Sequence, residues 1–183
     1  MKLKLLLGSF FLFAFVTANA YEVNGDLEVK WTGYKTEKKA PVSGTFNEIK
    51  LDISKNENFE DFLKSAKVKI NTLTFDSGLE VRNKSIITTL FSLKSSEEIR
   101  GVIKNVNTSS KTLILNLTMN EVKKDVFLSY EIKNGMIIAK GLIDILDYSL
   151  DESFAKFAKE CFIPHQGKSY SEVNIEFVLP FKN

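Results

Sequence analysis

His165 is the only histidine of the chain and Cys161 the only cysteine, and they stand four residues apart. A thiolate beside an imidazole is a nucleophile with its general base. That chemistry needs an exposed thiolate in contact with the ring, and Pro164 lies between the two, where a helix does not run on. A Ser-His-Asp triad would have to draw on the same His165, and no Gly-x-Ser-x-Gly elbow accompanies it. Zinc and copper sites recruit several His or Cys ligands, so no metal is expected. No phosphate-cradling glycine loop is present. Carboxylates occur as Glu97-Glu98, Asp144, Asp147 and Asp151-Glu152. Paired acids hydrolyse glycosides only when held across a cleft, and acids adjacent in sequence read as a solvated face. The stretch Lys35-Thr36-Glu37-Lys38-Lys39 reads either as a solvated loop or as a cationic rim that pairs with an anionic head group. No catalytic residue and no cofactor are therefore expected, and the function is sought in binding.

The elements that would position a binding site follow a leader. Lys2 and Lys4, the apolar run from Leu5 to Val16 and the small-x-small end Ala18-Asn19-Ala20 follow the plan of a cleavable secretory signal peptide. The run is too short to span a membrane as a mature helix. Residues 1–20 are assigned to the leader and residues 21–183 to one exported domain. Lys2 and Lys4 account for the whole formal surplus of +2, so the exported part is neutral and lacks the field that nucleic-acid binding draws on. One cysteine excludes an internal disulfide. Cys161 sits among Phe157, Ala158, Phe162 and Ile163, an apolar setting that favours burial; pairing with a second chain is the alternative.

Alternation of apolar and polar residues, the mark of half-buried strands, prevails from Leu27 on. Leu27, Val29 and Trp31 share one phase. Val42, Gly44 and Phe46 do the same, but Ile49, Leu51 and Ile53 carry the opposite parity. One extra residue near Asn47-Glu48 restores both runs to the core, which predicts a β-bulge there. Ile99–Val106, Leu113–Met119, Val126–Lys133 and Met136–Leu146 form a meander. Its third turn is Asn134-Gly135, a pair suited to a type I′ hairpin. Val173, Ile175, Phe177 and Leu179 make the last strand. Leu79, Arg82, Ile86 and Leu90 recur at helical spacing behind Asp76 and Ser77 as caps, and Phe154, Phe157, Ala158 and Cys161 recur after Asp151. About eight antiparallel strands and two short helices result. Eight strands close a barrel that is either filled by side chains or holds one small ligand, and periodicity leaves both open.

The run Val29-Lys30-Trp31-Thr32-Gly33-Tyr34-Lys35, then Val42-Ser43-Gly44-Thr45-Phe46 and Ile49-Lys50-Leu51-Asp52, resembles the opening of the YceI-like family. Tyr21, Trp31, Val42, Gly44, Phe46 and Asp52 fall where that family has its leading aromatic, its first strand, its V-x-G-x-F and its L-D pair. Ile70–Phe91 resembles the family's strand and short helix with an Arg-Asp-x-His-like motif: Arg82 matches, Asn83 stands for the Asp, and no histidine follows. Ile145–Leu150 and Val173–Phe181 resemble its late segments. The resemblance implies an exported, periplasmic protein with an extended lipocalin-like antiparallel β-barrel, whose apolar cavity holds a polyisoprenoid or similar long-chain amphiphile.

On that basis Val29, Trp31, Phe46, Leu113, Leu115, Leu117, Met119, Phe177 and Leu179 are expected to line the cavity. Lys35, Lys38 and Arg82 are expected near its mouth. The expected function is a periplasmic carrier of a long-chain isoprenoid or fatty amphiphile. The alternatives are an envelope enzyme acting on lipid or glycan through Asp147 or His165, and a filled-barrel structural protein. A homodimer is compatible with all three.

Overall fold

The computed structural model describes residues 19–183; the leader expected over residues 1–20 lies, except for its last two residues, outside them. Among the described residues no helix is long and apolar enough to cross a membrane. The strands are β1 (Glu22–Val23), β2 (Glu28–Lys35), β3 (Ala40–Phe46), β4 (Ile49–Asp52), β5 (Lys67–Asn71), β6 (Phe75–Asp76), β7 (Glu98–Asn107), β8 (Thr112–Met119), β9 (Val122–Lys133), β10 (Met136–Asp144) and β11 (Glu172–Lys182). The α-helices are α1 (Phe59–Lys64), α2 (Glu80–Thr89) and α3 (Asp151–Glu160). All pairings are antiparallel, in the order β4-β5-β7-β8-β9-β10-β11-β2-β3-β6, with β1 beside the end of β11.

The sheet curls round on itself because its two edge segments continue two of its own strands. β3 and β4 are one run broken only at Asn47-Glu48, and β5 and β6 are one run broken only by the 3-10 turn Thr72–Thr74. Phe46 pairs with Phe75 and Ile49 with Ile70, so the two broken runs lie antiparallel along each other. At the break, Asn47 N donates to Thr74 O and Asn71 N to Glu48 O. Glu48 N donates to Thr74 Oγ1, and Asn71 Nδ2 to Glu48 Oε2. These bonds satisfy the backbone groups that an irregularity would otherwise strand. The predicted irregularity is thus where the parity flip placed it, and Phe46, Ile49 and Leu51 all pack on the core. The eleven segments exceed the eight expected strands because these two runs are each split and β1 is an added two-residue pairing.

Asn134 and Gly135 both take positive φ, as a type I′ turn requires. Asn120 and Glu121 do so too, which starts β9 at Val122, earlier than the alternation from Val126 implies. Two helices are expected and three are present. The additional one, α1, begins at Asn58, whose side chain accepts from Asp61 N, a cap worth about 1 kcal/mol. Phe62 and Leu63 of α1 are 0% and 2% exposed. Burying two such side chains contributes roughly 1.5–3 kcal/mol each, so this short helix is held by packing and not by its own propensity. It closes one end of the barrel, where Tyr21, Phe59, Phe62 and Phe181 meet as aromatic neighbours.

Asp76 and Ser77 do not cap α2 directly. The first residue before α2 is Leu79, which offers no side-chain cap. Asn83 instead reaches back: its Oδ1 accepts from Ser77 N and Ser77 Oγ, and its Nδ2 donates to Asp76 Oδ1. Asp76 also accepts from Gly78 N, and these bonds hold its carboxyl below the usual carboxylate range. The position where the family motif has an acid is thus filled here by an amide that uses both of its ends.

Trp31 lies across Gly44, its partner on β3, and stacks on Phe75 at 4.5 Å between ring centroids. Such a pair adds about 0.5–1.5 kcal/mol beyond its buried area. A Cβ on Gly44 would fall 2.3 Å from Asp76 O and 2.8 Å from the Trp31 ring. The Gly44→Ala protein is therefore expected to be destabilised by roughly 1–3 kcal/mol or more, read as a lower urea midpoint.

Candidate functional site

The barrel interior is not filled. Two apolar chambers lie along it, about 150 Å³ and about 80 Å³. They share Ile70, Ile99, Leu117 and Phe177, which form the neck between them. On β8, Leu113, Leu115, Leu117 and Met119 alternate inward and line the chambers in succession, a span of about 20 Å at about 3.3 Å per residue. Leu63 of α1 contributes to the closed end.

The other end is covered by two helix faces. Arg82, Ile86 and Leu90 from α2 and its end, and Phe154, Phe157 and Cys161 from α3 and its end, all line the larger chamber. Of the two stripes that the helical spacing singles out, Leu79 and Ala158 stand apart: neither lines the chamber, and Leu79 precedes α2 and is half exposed. Ser85 Oγ donates to Glu160 Oε1 at 2.6 Å and ties the middle of α2 to the end of α3. Lys35, Tyr34, Tyr170 and His165 line the same chamber and are half-buried, so the polar lining gathers at this end and reaches solvent there. Segment 168–170 is bound to the end of β2: Thr36 N donates to Lys168 O and Tyr170 N to Tyr34 O.

Each expected lining residue has a definite place. Val29, Trp31, Phe46 and Met119 face the larger chamber; Leu113, Leu115 and Leu179 face the smaller; Leu117 and Phe177 face both. Lys35 and Arg82 stand at the mouth. Lys38 does not: it is exposed in the turn Thr36–Lys39, outside the lining, because β2 ends at Lys35 and carries the chain away from the opening. His165, Tyr170, Cys161 and the α3 aromatics are lining residues that the alternation pattern did not single out, since they lie outside strands or on helix faces whose partner no local pattern names; Tyr34, on β2, is out of phase with Val29 and Trp31 and escapes the pattern for that reason.

Cys161 is buried and free, 8% exposed. Burial pushes its thiol up, Glu160 adds to this, and Lys35 only partly offsets it, so the group stays protonated at neutral pH. Phe162 and Ile163, expected around it, are 61% and 86% exposed and point elsewhere. His165 N donates to Cys161 O across Pro164, yet no hydrogen bond joins the two side chains among the described residues. The His165 ring instead shares a 2.7 Å bond between Nδ1 and Ser169 Oγ and stands edge-on to Phe157. Asp147 is exposed, 4.0 Å from Lys124, and outside the lining. Among the described residues no three His, Cys, Asp or Glu side chains converge as a metal site. Lys35 and Arg82 have no carboxylate partner among the described residues, whereas eight other cations do.

Burial, then Lys35 and Arg82, hold the His165 imidazole below its ordinary value of 6.5. The unfolded chain then binds a proton that the folded one refuses, so stability falls as pH drops through about 6.5 and levels off below the folded value. The lowered carboxylates Glu22, Asp76 and Asp125 act only at more acid pH, below ordinary values of 4.5 and 3.8. Between pH 7 and 5 the urea midpoint is expected to decline in the native protein and to stay nearly flat in His165→Gln.

The YceI-like domain family matches residues 21–181. No protein with a curated description matches in sequence. Among solved structures, BcnA of Burkholderia cenocepacia superposes with a TM-score of 0.60 at 15% identity, over 88% of this chain and 100% of its own. A polyisoprenoid-binding domain of Saccharophagus degradans, implicated in plant cell wall breakdown, does so with 0.60 at 16%, over 90% and 97%. The Campylobacter jejuni YceI protein gives 0.54 at 14%, over 79% and 85%. At these identities the likeness is one of fold.

Proposed function

The chain belongs to the YceI-like family, and on that footing we propose that it is an exported, periplasmic binding protein that carries one polyisoprenoid or other long-chain amphiphile along its barrel. The observation that carries this reading is the lining of β8: four successive inward residues from Leu113 to Met119 face empty apolar space, with polar groups at one end only. Each methylene moved from water into such space contributes about 0.8 kcal/mol before ordering and association costs. A long chain therefore needs no polar anchor to bind. The Saccharophagus domain of the same fold, described as polyisoprenoid-binding, supports the ligand class.

The head group would lie at the α2–α3 end. Lys35 and Arg82, lacking carboxylate partners among the described residues, would hold an anionic group there. His165 would join them through the ring nitrogen that Ser169 does not engage. A protonated Cys161 and a histidine bonded to Ser169 favour binding over catalysis. The Trp31 indole Nε1, buried without an acceptor, is available to an oxygen of the occupant.

Native mass spectrometry of the protein purified from its own envelope tests this. A stoichiometric extra mass that extracts into solvent as a prenyl or acyl amphiphile is expected; a bare polypeptide that stays bare after incubation with envelope lipids would overturn the reading. Leu117→Trp narrows the neck. It is expected to retain only shorter chains, or to lose at least tenfold in affinity, while a cooperative unfolding transition shows that it is folded. Trp31 is the only tryptophan and lines the larger chamber, so refilling the stripped native protein with a prenyl phosphate should change its emission.

A further inference from the structure

The opening is ringed by apolar side chains that face away from the cavity. Leu79 and Val81, at the start of α2, are 50% and 75% exposed, and Phe162 and Ile163, just after α3, are 61% and 86% exposed. Their immediate neighbours do the opposite: Arg82 and Cys161 turn into the larger chamber. The Ser85–Glu160 bond joins the middle of α2 to the end of α3, and Arg82 and Cys161, the neighbours of the two exposed pairs, line the same chamber, so both pairs belong to one rim. Phe162 and Ile163 sit in a compact turn, with His165 N bonded to Cys161 O and Gly167 N to Phe162 O. A Cβ on Gly167 would lie only 3.4 Å from the Phe162 ring, so the ring rests on that glycine and is presented outward. Lys84 and Lys168 are exposed around this end and have no carboxylate partner among the described residues. The acids at this end include Glu37, Glu80, Glu160 and Glu172; Glu160 is engaged by Ser85 and Glu172 by Lys39.

We propose that this rim is a membrane-docking surface: Leu79, Val81, Phe162 and Ile163 enter the head-group layer of an anionic bilayer, and the lysines pair with its phosphates. Exposed apolar tips framed by unpaired lysines are the composition of interfacial binding. Scattered tips, unlike a continuous groove, do not form the complementary core of a protein interface. The position supplies the purpose, which rests on the carrier reading. A long apolar chain that left the bilayer through water would expose all of its methylenes, whereas a mouth pressed into the head groups passes it directly into the barrel.

Vesicle sedimentation tests the surface. The purified protein is expected to sediment with vesicles of phosphatidylcholine and phosphatidylglycerol, and much less with phosphatidylcholine alone. Val81→Asp/Ile163→Asp should weaken binding at least tenfold, with its cooperative unfolding and its extracted cargo unchanged. Phe127→Asp, which alters a side chain 75% exposed on the barrel wall, should bind as the native protein does. The proposal is overturned if the native protein ignores anionic vesicles, if the double variant binds equally well, or if Phe127→Asp loses as much. It is equally overturned if the rim proves to hold a dimer in sedimentation velocity that the double variant breaks. A protein that holds a lipid yet ignores vesicles removes the docking surface alone; one that sediments but carries nothing removes the carrier reading.

Discussion

The structure depends on one chain segment, Ala40–Asp52, pairing on both of its sides. Its first half bonds to β2, and its second half bonds to β5 and β6. A regular strand could not do this and still keep Phe46, Ile49 and Leu51 on the same side, because strand side chains alternate strictly. The break at Asn47-Glu48 absorbs the odd residue, and the turn Thr72–Thr74 opposite it supplies the partners for its backbone. The irregularity therefore closes the sheet. Without it two edges would stand open, and the interior would be a groove in water instead of an enclosed apolar space.

The close approach of Trp31 to Gly44 follows from the same closure. β3 lies between β2 and β6, so an indole from β2 reaches Phe75 only across a residue without a side chain. The two ends of the barrel then take different fates. At one, α1 drives Phe62 and Leu63 inward and seals the tube. At the other, α2 and α3 lay apolar stripes over the interior but leave cations and a histidine at the opening. Polarity at one end and none along the wall gives the cavity a direction, which a chain-like ligand with one polar end would share. No disulfide supports the arrangement, since the chain has one cysteine.

Identities of 14–16% to structures of the same fold show how little of this needs particular residues. Asn83 illustrates how local bonds serve the fold: its amide accepts from Ser77 and donates to Asp76, and so holds the start of α2.

The order of strands in the meander, the Asn134-Gly135 turn, the break at Asn47-Glu48 and the helix faces Arg82–Ile86–Leu90 and Phe154–Phe157–Cys161 could be read from the sequence alone, because each is a relation between residues a few positions apart. The short helix α1 and the Asn120-Glu121 turn were missed for a related reason. Six helical residues carry too little periodicity to stand out, and Glu121 is not a residue that announces a positive φ. Tertiary structure alone decided whether the inward face meets other side chains or space. That depends on how far apart opposite walls stand once the sheet has closed, which no local pattern records. It also decided that His165 and Cys161, isolated in sequence and unremarkable in spacing, stand with Lys35 and Arg82 at one opening. Those four come from one strand end, two helix ends and a loop, brought together only by the closure of the barrel and the packing of α2 on α3.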